Sequence, residues 1–272
     1  MLRRVLTAVV LLAAVIAAIL YSNRVAFTAI LAVFVLLATR EYIGLARLLG
    51  APPFESLQIV GAAVLLALFA WDISWIPAAL FALCLAAALA TLTTQSRMNQ
   101  SLARVSATCF GWLYLPLTLG WLVPLRFDIG YANLGTRMLF LLLVVIWAGD
   151  ICAYFVGRAI GRHKLAPRIS PGKTVEGFVG GMLGNLAAAA IFHHFQLTEF
   201  SRMEILLVAL AFGTVGQLAD LFESVLKRGA GVKDSSSILP GHGGVLDRID
   251  SLLLATPVIY FYFWWRLYGG VY

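Results

Sequence analysis

A series of apolar runs, each about as long as a bilayer is thick, limits this chain's folding more than any other feature. Nine can be read, over approximately 4–21, 25–46, 57–72, 76–93, 104–124, 135–157, 175–195, 203–226 and 248–266. A hydrocarbon core ~30 Å thick takes ~20 helical residues to cross. Inside it every backbone polar group must be satisfied within the protein. Of the 272 residues 61% are hydrophobic and 12% charged, about half the charge of an ordinary soluble domain. The expected fold is therefore an all-α integral membrane protein of about nine transmembrane helices. Arg3 and Arg4 ahead of the run Val5–Leu20 imitate a secretory leader. No small-residue cleavage site followed by a soluble region appears, so the run is read as a retained first helix.

The net charge of +7 would suit nucleic acid, but its placement explains it without that partner. With the N-terminus in the cytoplasm, 15 of the 20 Lys and Arg fall on the inner side. Only Arg24, Arg126, Arg137, Arg202 and Arg266 fall outside, which is the positive-inside pattern. Cys84, Cys109 and Cys152 all lie within apolar runs and read as small buried hydrophobes rather than a disulfide or metal framework. Composition divides the chain into two regions. Residues 1–134 are sparsely charged Ala/Leu-rich helices that form a scaffold. Residues 135–272 admit polar groups into the spans and their inner loops, and read as the catalytic region.

The most polar stretch is Ser224–Asp250, whose 27 residues hold four basic residues, three aspartates, one histidine and five glycines between two apolar helices. Such a segment is tolerated at a membrane only where it lines a wet site. Basic groups and bare backbone N–H donors suit phosphate, and aspartates suit a hard cation such as Mg²⁺. Asp220, Glu223 and Lys227 share one face of the eighth span, at spacings of three and four. Glu223 and Lys227 also read as a self-neutralising ion pair, whereas Asp220 has no cation nearby on its own helix. Asp247 and Asp250 open the ninth span, where they serve equally as helix caps. The run Gly241-His242-Gly243-Gly244 ahead of them can bring N–H groups close to an anion. Lys227, Arg228 and Lys233 match either substrate phosphates or lipid headgroups. His242 is an acid, a base or a hydrogen-bond donor. A second constellation carries Asp150 with Tyr154 four residues on. It continues through Arg158, Arg162, Lys164, Arg168, Ser170, Lys173 and Thr174. Residues 170–176 read as a helix start with phosphate-compatible groups. The glycine–lysine spacing of a soluble nucleotide-binding loop is missing. An even number of crossings separates the two polar loops, so both can face one cytoplasmic site.

Ser224–Asp250 resembles the signature of the CDP-diacylglycerol synthase family, the phosphatidate cytidylyltransferases. The matching residues are Ser224, Lys227, Arg228, Lys233, Asp234, Ser236, Pro240, His242, Gly243, Gly244, Asp247, Arg248 and Asp250. The Asp150–Gly177 stretch resembles the family's second pattern, so the likeness with motifs covers residues 147–250. The resemblance implies that CTP and phosphatidic acid react, with Mg²⁺ and a second cation left open, to give CDP-diacylglycerol and pyrophosphate. It also implies a polytopic fold with a polar cavity facing the cytoplasm, commonly a homodimer, and a bacterial inner membrane as its place. Asp220 and Asp247 correspond to metal-binding aspartates. The catalytic set so implied is Asp220, Lys227, Arg228, Lys233, Asp234, His242, Asp247, Arg248 and Asp250. Substrate contacts fall to Asp150, Arg158, Lys164, Ser170, Lys173, Thr174, Ser224, Gly243 and Gly244. Two rivals remain: a CTP-dependent lipid-alcohol kinase, and a transporter of an anionic solute. The transporter fits less well, because the polar groups cluster toward one side and no matching motif appears in the first half.

Overall fold

The computed structural model describes residues 2–93, 98–131, 133–238 and 243–269, with side chains from residue 12 onward. Eleven α-helices are present among them: α1 (Leu2–Tyr21), α2 (Arg24–Leu48), α3 (Glu55–Trp71), α4 (Ile76–Thr93), α5 (Ser101–Tyr114), α6 (Pro116–Leu119), α7 (Leu122–Phe127), α8 (Leu134–Ile160), α9 (Val175–Gln196), α10 (Arg202–Gly229) and α11 (Leu246–Tyr268). Helix occurs at each of the nine expected spans. The fifth is in three pieces, and the first break falls where Pro116, having no N–H to continue α5, starts α6 instead. Among the described residues six segments are long and apolar enough to cross a membrane: Arg24–Leu48, Ile73–Thr93, Met98–Phe127, Leu134–Ile160, Val175–Gln196 and Arg202–Gly229. Glu55–Trp71 is apolar but has only 17 residues. α11 has 23 residues, carries Asp247, Arg248, Asp250 and Arg266, and is not among those six.

One element departs from helix. Residues Lys164–Ala166 (β1) and Ser170–Thr174 (β2) form an antiparallel hairpin, pairing Lys164 with Thr174 and Ala166 with Ser170. Thr174 ends the hairpin and caps α9, its side-chain oxygen accepting the Gly177 N–H at 3.1 Å. The helix start expected over 170–176 thus begins at Thr174, and the residues before it are strand.

The chain divides into two compact units, Met1–Pro124 with Gly229–Arg248, and Leu125–Arg228 with Ile249–Tyr272. In the first, α2, α3 and α5 enclose a core around Trp112, which is fully buried together with Leu65 and Val35. Trp112 donates its indole N–H to the Gln58 carbonyl at 3.0 Å, and Tyr42 donates its hydroxyl to the Ala107 carbonyl at 2.7 Å. Both tether an aromatic body whose polar end would otherwise be stranded in the core. In the second unit, α8 and α9 run antiparallel and very close. A Cβ on Gly177 would lie 2.8 Å from the Ala153 carbonyl oxygen, and one on Gly180 would lie 2.6 Å from the Val156 Cβ. Small residues let two backbones approach this way inside a bilayer. The approach matters because it sets the base of α8 against the hairpin and the start of α9.

Candidate active site

The second unit holds a cavity of about 570 Å³ among α8, the β1–β2 hairpin, α9 and α10. α8 contributes Asp150, Tyr154 and Arg158, each four residues from the last and so on one helix face. Arg158 donates to the Tyr154 hydroxyl at 3.2 Å. The hairpin contributes Ser170, Lys173 and Thr174, and α10 contributes Gln217 and Asp220. Lys173 reaches across to Asp220, with Nζ 2.6 Å from Oδ2, and the two side chains keep 28% and 30% of their exposure. Lys227 on the same helix face is seven residues away from Asp220; the hairpin supplies a nearer cation from another element.

Behind this wall α10 carries a second pair. Lys227 Nζ donates to Glu223 Oε2 at 3.0 Å, and the Glu223 side chain is fully buried. The expected ion pair therefore forms, and Ser224 beside it is also buried. Asp250, in the first turns of α11, faces Glu223. Arg228 is exposed and donates Nε to the Ile169 carbonyl at 3.0 Å, which ties α10 to the hairpin turn. Lys164 sits exposed in β1, and its neighbour Leu165 is the β1 residue that lines the cavity.

In the first unit, Ser235, Ser236, Gly244 and Asp247 take part in a polar network. Asp247 Oδ2 accepts from Ser235 N at 2.9 Å and Gly244 N at 2.7 Å, and Ser235 Oγ lies 2.8 Å from it. The Gly244 N–H is thus donated to a side chain of its own loop, where the sequence suggested a ligand. Gly243 has φ +77°, a left-handed conformation that favours glycine. Lys233, Asp234 and Arg248 are exposed on this segment. His242 lies outside the described residues, as do Pro240 and Gly241.

Two participants escaped the sequence reading. Gln217 stands three residues before Asp220 on the cavity wall, and its Nε2 has no hydrogen-bond partner among the described residues. Glu41 on α2 is 4% exposed, yet its carboxylate accepts from Ser235, Ser236, Val245 and Leu246. The available signal for Glu41 was an acidic residue inside an apolar run, which is costly unless partnered.

The cavity suits a polyanion accompanied by a cation. Its lining carries two carboxylates, Asp150 and Asp220, against Arg158 and Lys173. Among the described residues no three His, Cys, Asp or Glu side chains are placed to hold a metal. Mg²⁺ is usually held by one or two carboxylates, with substrate phosphates and water completing the shell. Asp220, half-buried and paired to a displaceable lysine, fits a Mg²⁺ that arrives with a triphosphate.

Comparison with known proteins agrees with this chemistry. A sequence model described as the cytidylyltransferase family matches residues 2–265. The phosphatidate cytidylyltransferase of Bacillus subtilis is 41% identical over 189 residues, 70% of this chain and 68% of that protein. The phosphatidate cytidylyltransferase of Haemophilus influenzae is 47% identical over 134 residues, 47% of this chain and 46% of that protein. That of Staphylococcus epidermidis is 44% identical over 125 residues, 46% of this chain and 48% of that protein. The latter two alignments span about half the length of each relative.

Proposed function

This chain belongs to the cytidylyltransferase family, and we propose that it transfers the cytidylyl group of CTP to phosphatidate, forming CDP-diacylglycerol and releasing pyrophosphate. The observation that carries the reading is the Lys173–Asp220 pair on the wall of a cavity also lined by Asp150 and Arg158. A phosphate oxygen of the lipid attacks the α-phosphorus of CTP, and the pyrophosphate oxygen opposite leaves. Both reactants are polyanions, so the protein's work is to align them and cancel charge.

The chain's residues divide that work. Lys173 exchanges Asp220 for a phosphate oxygen, and Arg158 offers a planar fork to another. Ser170 and Thr174 present hydroxyls at the same wall. Lys227 and Arg228 add positive charge along α10; Lys233 and Arg248 do so from the signature segment. Mg²⁺ bound with the nucleotide supplies charge neutralisation on the phosphate oxygens, and Asp220 is the carboxylate we assign to it. Asp247 is a second candidate carboxylate, and a second cation belongs to the same proposal. The reaction needs no protein nucleophile, because the attacking oxygen belongs to the lipid. A multi-pass protein with the site at the cytoplasmic face of a bacterial inner membrane lets acyl chains stay in lipid while CTP arrives from water. Such an enzyme acting as a homodimer completes the proposal.

The test uses protein purified in detergent with Mg²⁺ and CTP labelled separately at the α- and γ-phosphates. The expected result with phosphatidic acid is α-label in lipid and γ-label in pyrophosphate. Transfer of γ-label to a lipid alcohol would overturn the reading in favour of a kinase. No turnover with either acceptor in a folded sample would also overturn it.

A further inference from the structure

Both carboxylate oxygens of Glu41 are hydrogen-bonded, and the residue lies in α2, far in sequence from every predicted site residue. Its Oε1 accepts from Ser236 Oγ at 2.6 Å and Val245 N at 2.9 Å. Its Oε2 accepts from Ser235 Oγ at 3.0 Å and Leu246 N at 2.7 Å. Two of these donors are backbone N–H groups at the very start of α11, which ordinarily lack a partner within the helix. Glu41 thus caps α11 from another helix, and the positive end of the α11 dipole stabilises its charge. The other two donors hold the Ser235–Ser236 turn onto the same carboxylate.

The link continues to Asp247. Ser235 Oγ lies between Glu41 Oε2 at 3.0 Å and Asp247 Oδ2 at 2.8 Å, so its single proton is shared between the two carboxylates. Ser235 N and Gly244 N also end on Asp247 Oδ2. A Cβ on Gly244 would lie 2.5 Å from Glu41 Oε2 and would overlap Ser235 Oγ. The second glycine of Gly243-Gly244 is therefore required by the close approach of Glu41. Four neutral donors round a buried carboxylate cost little when all are satisfied and a good deal when one is stranded. The arrangement is consequently stiff, and Asp247 is its output.

We propose that Glu41 is a positioning residue for the reaction: through Ser235 and the first turn of α11 it fixes the orientation in which Asp247 is presented. The inference rests on the cytidylyltransferase reading and adds a residue from the scaffold region to it. Partners that orient a functional carboxylate typically account for about 10- to 100-fold in activity.

The experiment compares wild type, Glu41→Gln, Ser235→Ala and the double variant in the full chain in detergent. Glu41→Gln keeps the shape but turns one acceptor oxygen into an NH₂ donor facing donors. Expected is a fall in kcat of about 30-fold with the KM for phosphatidate unchanged, and a double variant no worse than Glu41→Gln alone. Tryptic cleavage after the exposed Lys233, followed without substrate or Mg²⁺, should quicken about tenfold in Glu41→Gln as the turn loosens. Losses that multiply in the double variant would overturn the proposal, as would a folded Glu41→Gln with kcat within about twofold of wild type. Should Glu41→Gln fail to fold, Ser235→Ala decides, since Glu41 keeps its three other donors. A lower kcat at an unchanged thermal midpoint supports the link, and unchanged kinetics refutes it. A wild type that makes no CDP-diacylglycerol defeats the reading of function, and the proteolysis comparison still reports on Glu41.

Discussion

Glu41 in the first unit and Asp220 in the second are both carboxylates on long apolar helices, and the protein treats them in opposite ways. Glu41 is 4% exposed and bound by two hydroxyls and two backbone N–H groups. None of those donors can leave without unravelling the turn or the first residues of α11. Asp220 keeps 30% of its side-chain exposure and meets one flexible lysine at 2.6 Å on a cavity wall. A lysine on a four-carbon stem can swing to another anion, whereas a backbone amide at a helix start cannot. Saturation by fixed neutral donors marks a carboxylate that holds structure; pairing with a movable cation beside a cavity marks one that can exchange partners.

The sharpest way to break that contrast is at Asp220. Asp220→Asn should lower kcat by about 1,000-fold, as expected if about 4 kcal/mol of charge stabilisation passes through this carboxylate. The thermal midpoint in detergent should hardly move, because the residue is half-exposed. Near-wild-type turnover in a folded sample would remove Asp220 from the site.

Lys227 and Lys173 extend the comparison to their partners. Lys227 is paired with a fully buried glutamate, its own side chain 10% exposed. Removing it leaves Glu223 buried beside the Asp250 carboxyl without its cation, so Lys227→Ala should cost about 3–5 kcal/mol of stability. A thermal midpoint unchanged from wild type would show that Glu223 is satisfied without the lysine. Lys173→Ala breaks a more exposed pair, and its stability cost should stay under about 1 kcal/mol. Its kcat/KM for CTP should nonetheless fall about 10- to 100-fold, the worth of a charged hydrogen bond to phosphate. Equal kinetic effects on CTP and phosphatidate would show that Lys173 acts on the cavity in general and does not choose the nucleotide.

The helices were legible because their apolar runs have the length that a bilayer requires. Pro116 lies within the fifth run, and α5 ends just before it. The β1–β2 hairpin was hidden, since Lys164–Thr174 is basic, short and rich in proline and glycine, with no alternation to betray strands. Asp150, Arg158, Ser170, Lys173, Thr174 and Asp220 were found from residue type and placement, and they line one cavity. Glu41 was missed for a physical reason. Its partners Ser235, Ser236, Val245 and Leu246 lie about 200 positions along the chain, and backbone donors leave no trace in side-chain chemistry. Sequence shows which groups are charged; only the fold shows which charges have already been used.

The smallest expected effect asks how firmly the hairpin aims Lys173. Thr174 directly follows it, ends β2 and caps α9 through its side-chain oxygen at 3.1 Å from Gly177 N. The same oxygen would lie 3.0 Å from a Cβ on Gly157 of α8, so the cap is wedged between two closely packed helices. Thr174→Ser keeps the acceptor and should leave stability and CTP kinetics near wild type. Thr174→Ala loses the cap and should cost about 1 kcal/mol in stability. If the cap also sets the direction from which Lys173 reaches Asp220, the KM for CTP should rise in Thr174→Ala and recover in Thr174→Ser. A stability loss with an unchanged KM would separate the two roles, leaving Lys173 aimed by strand pairing alone.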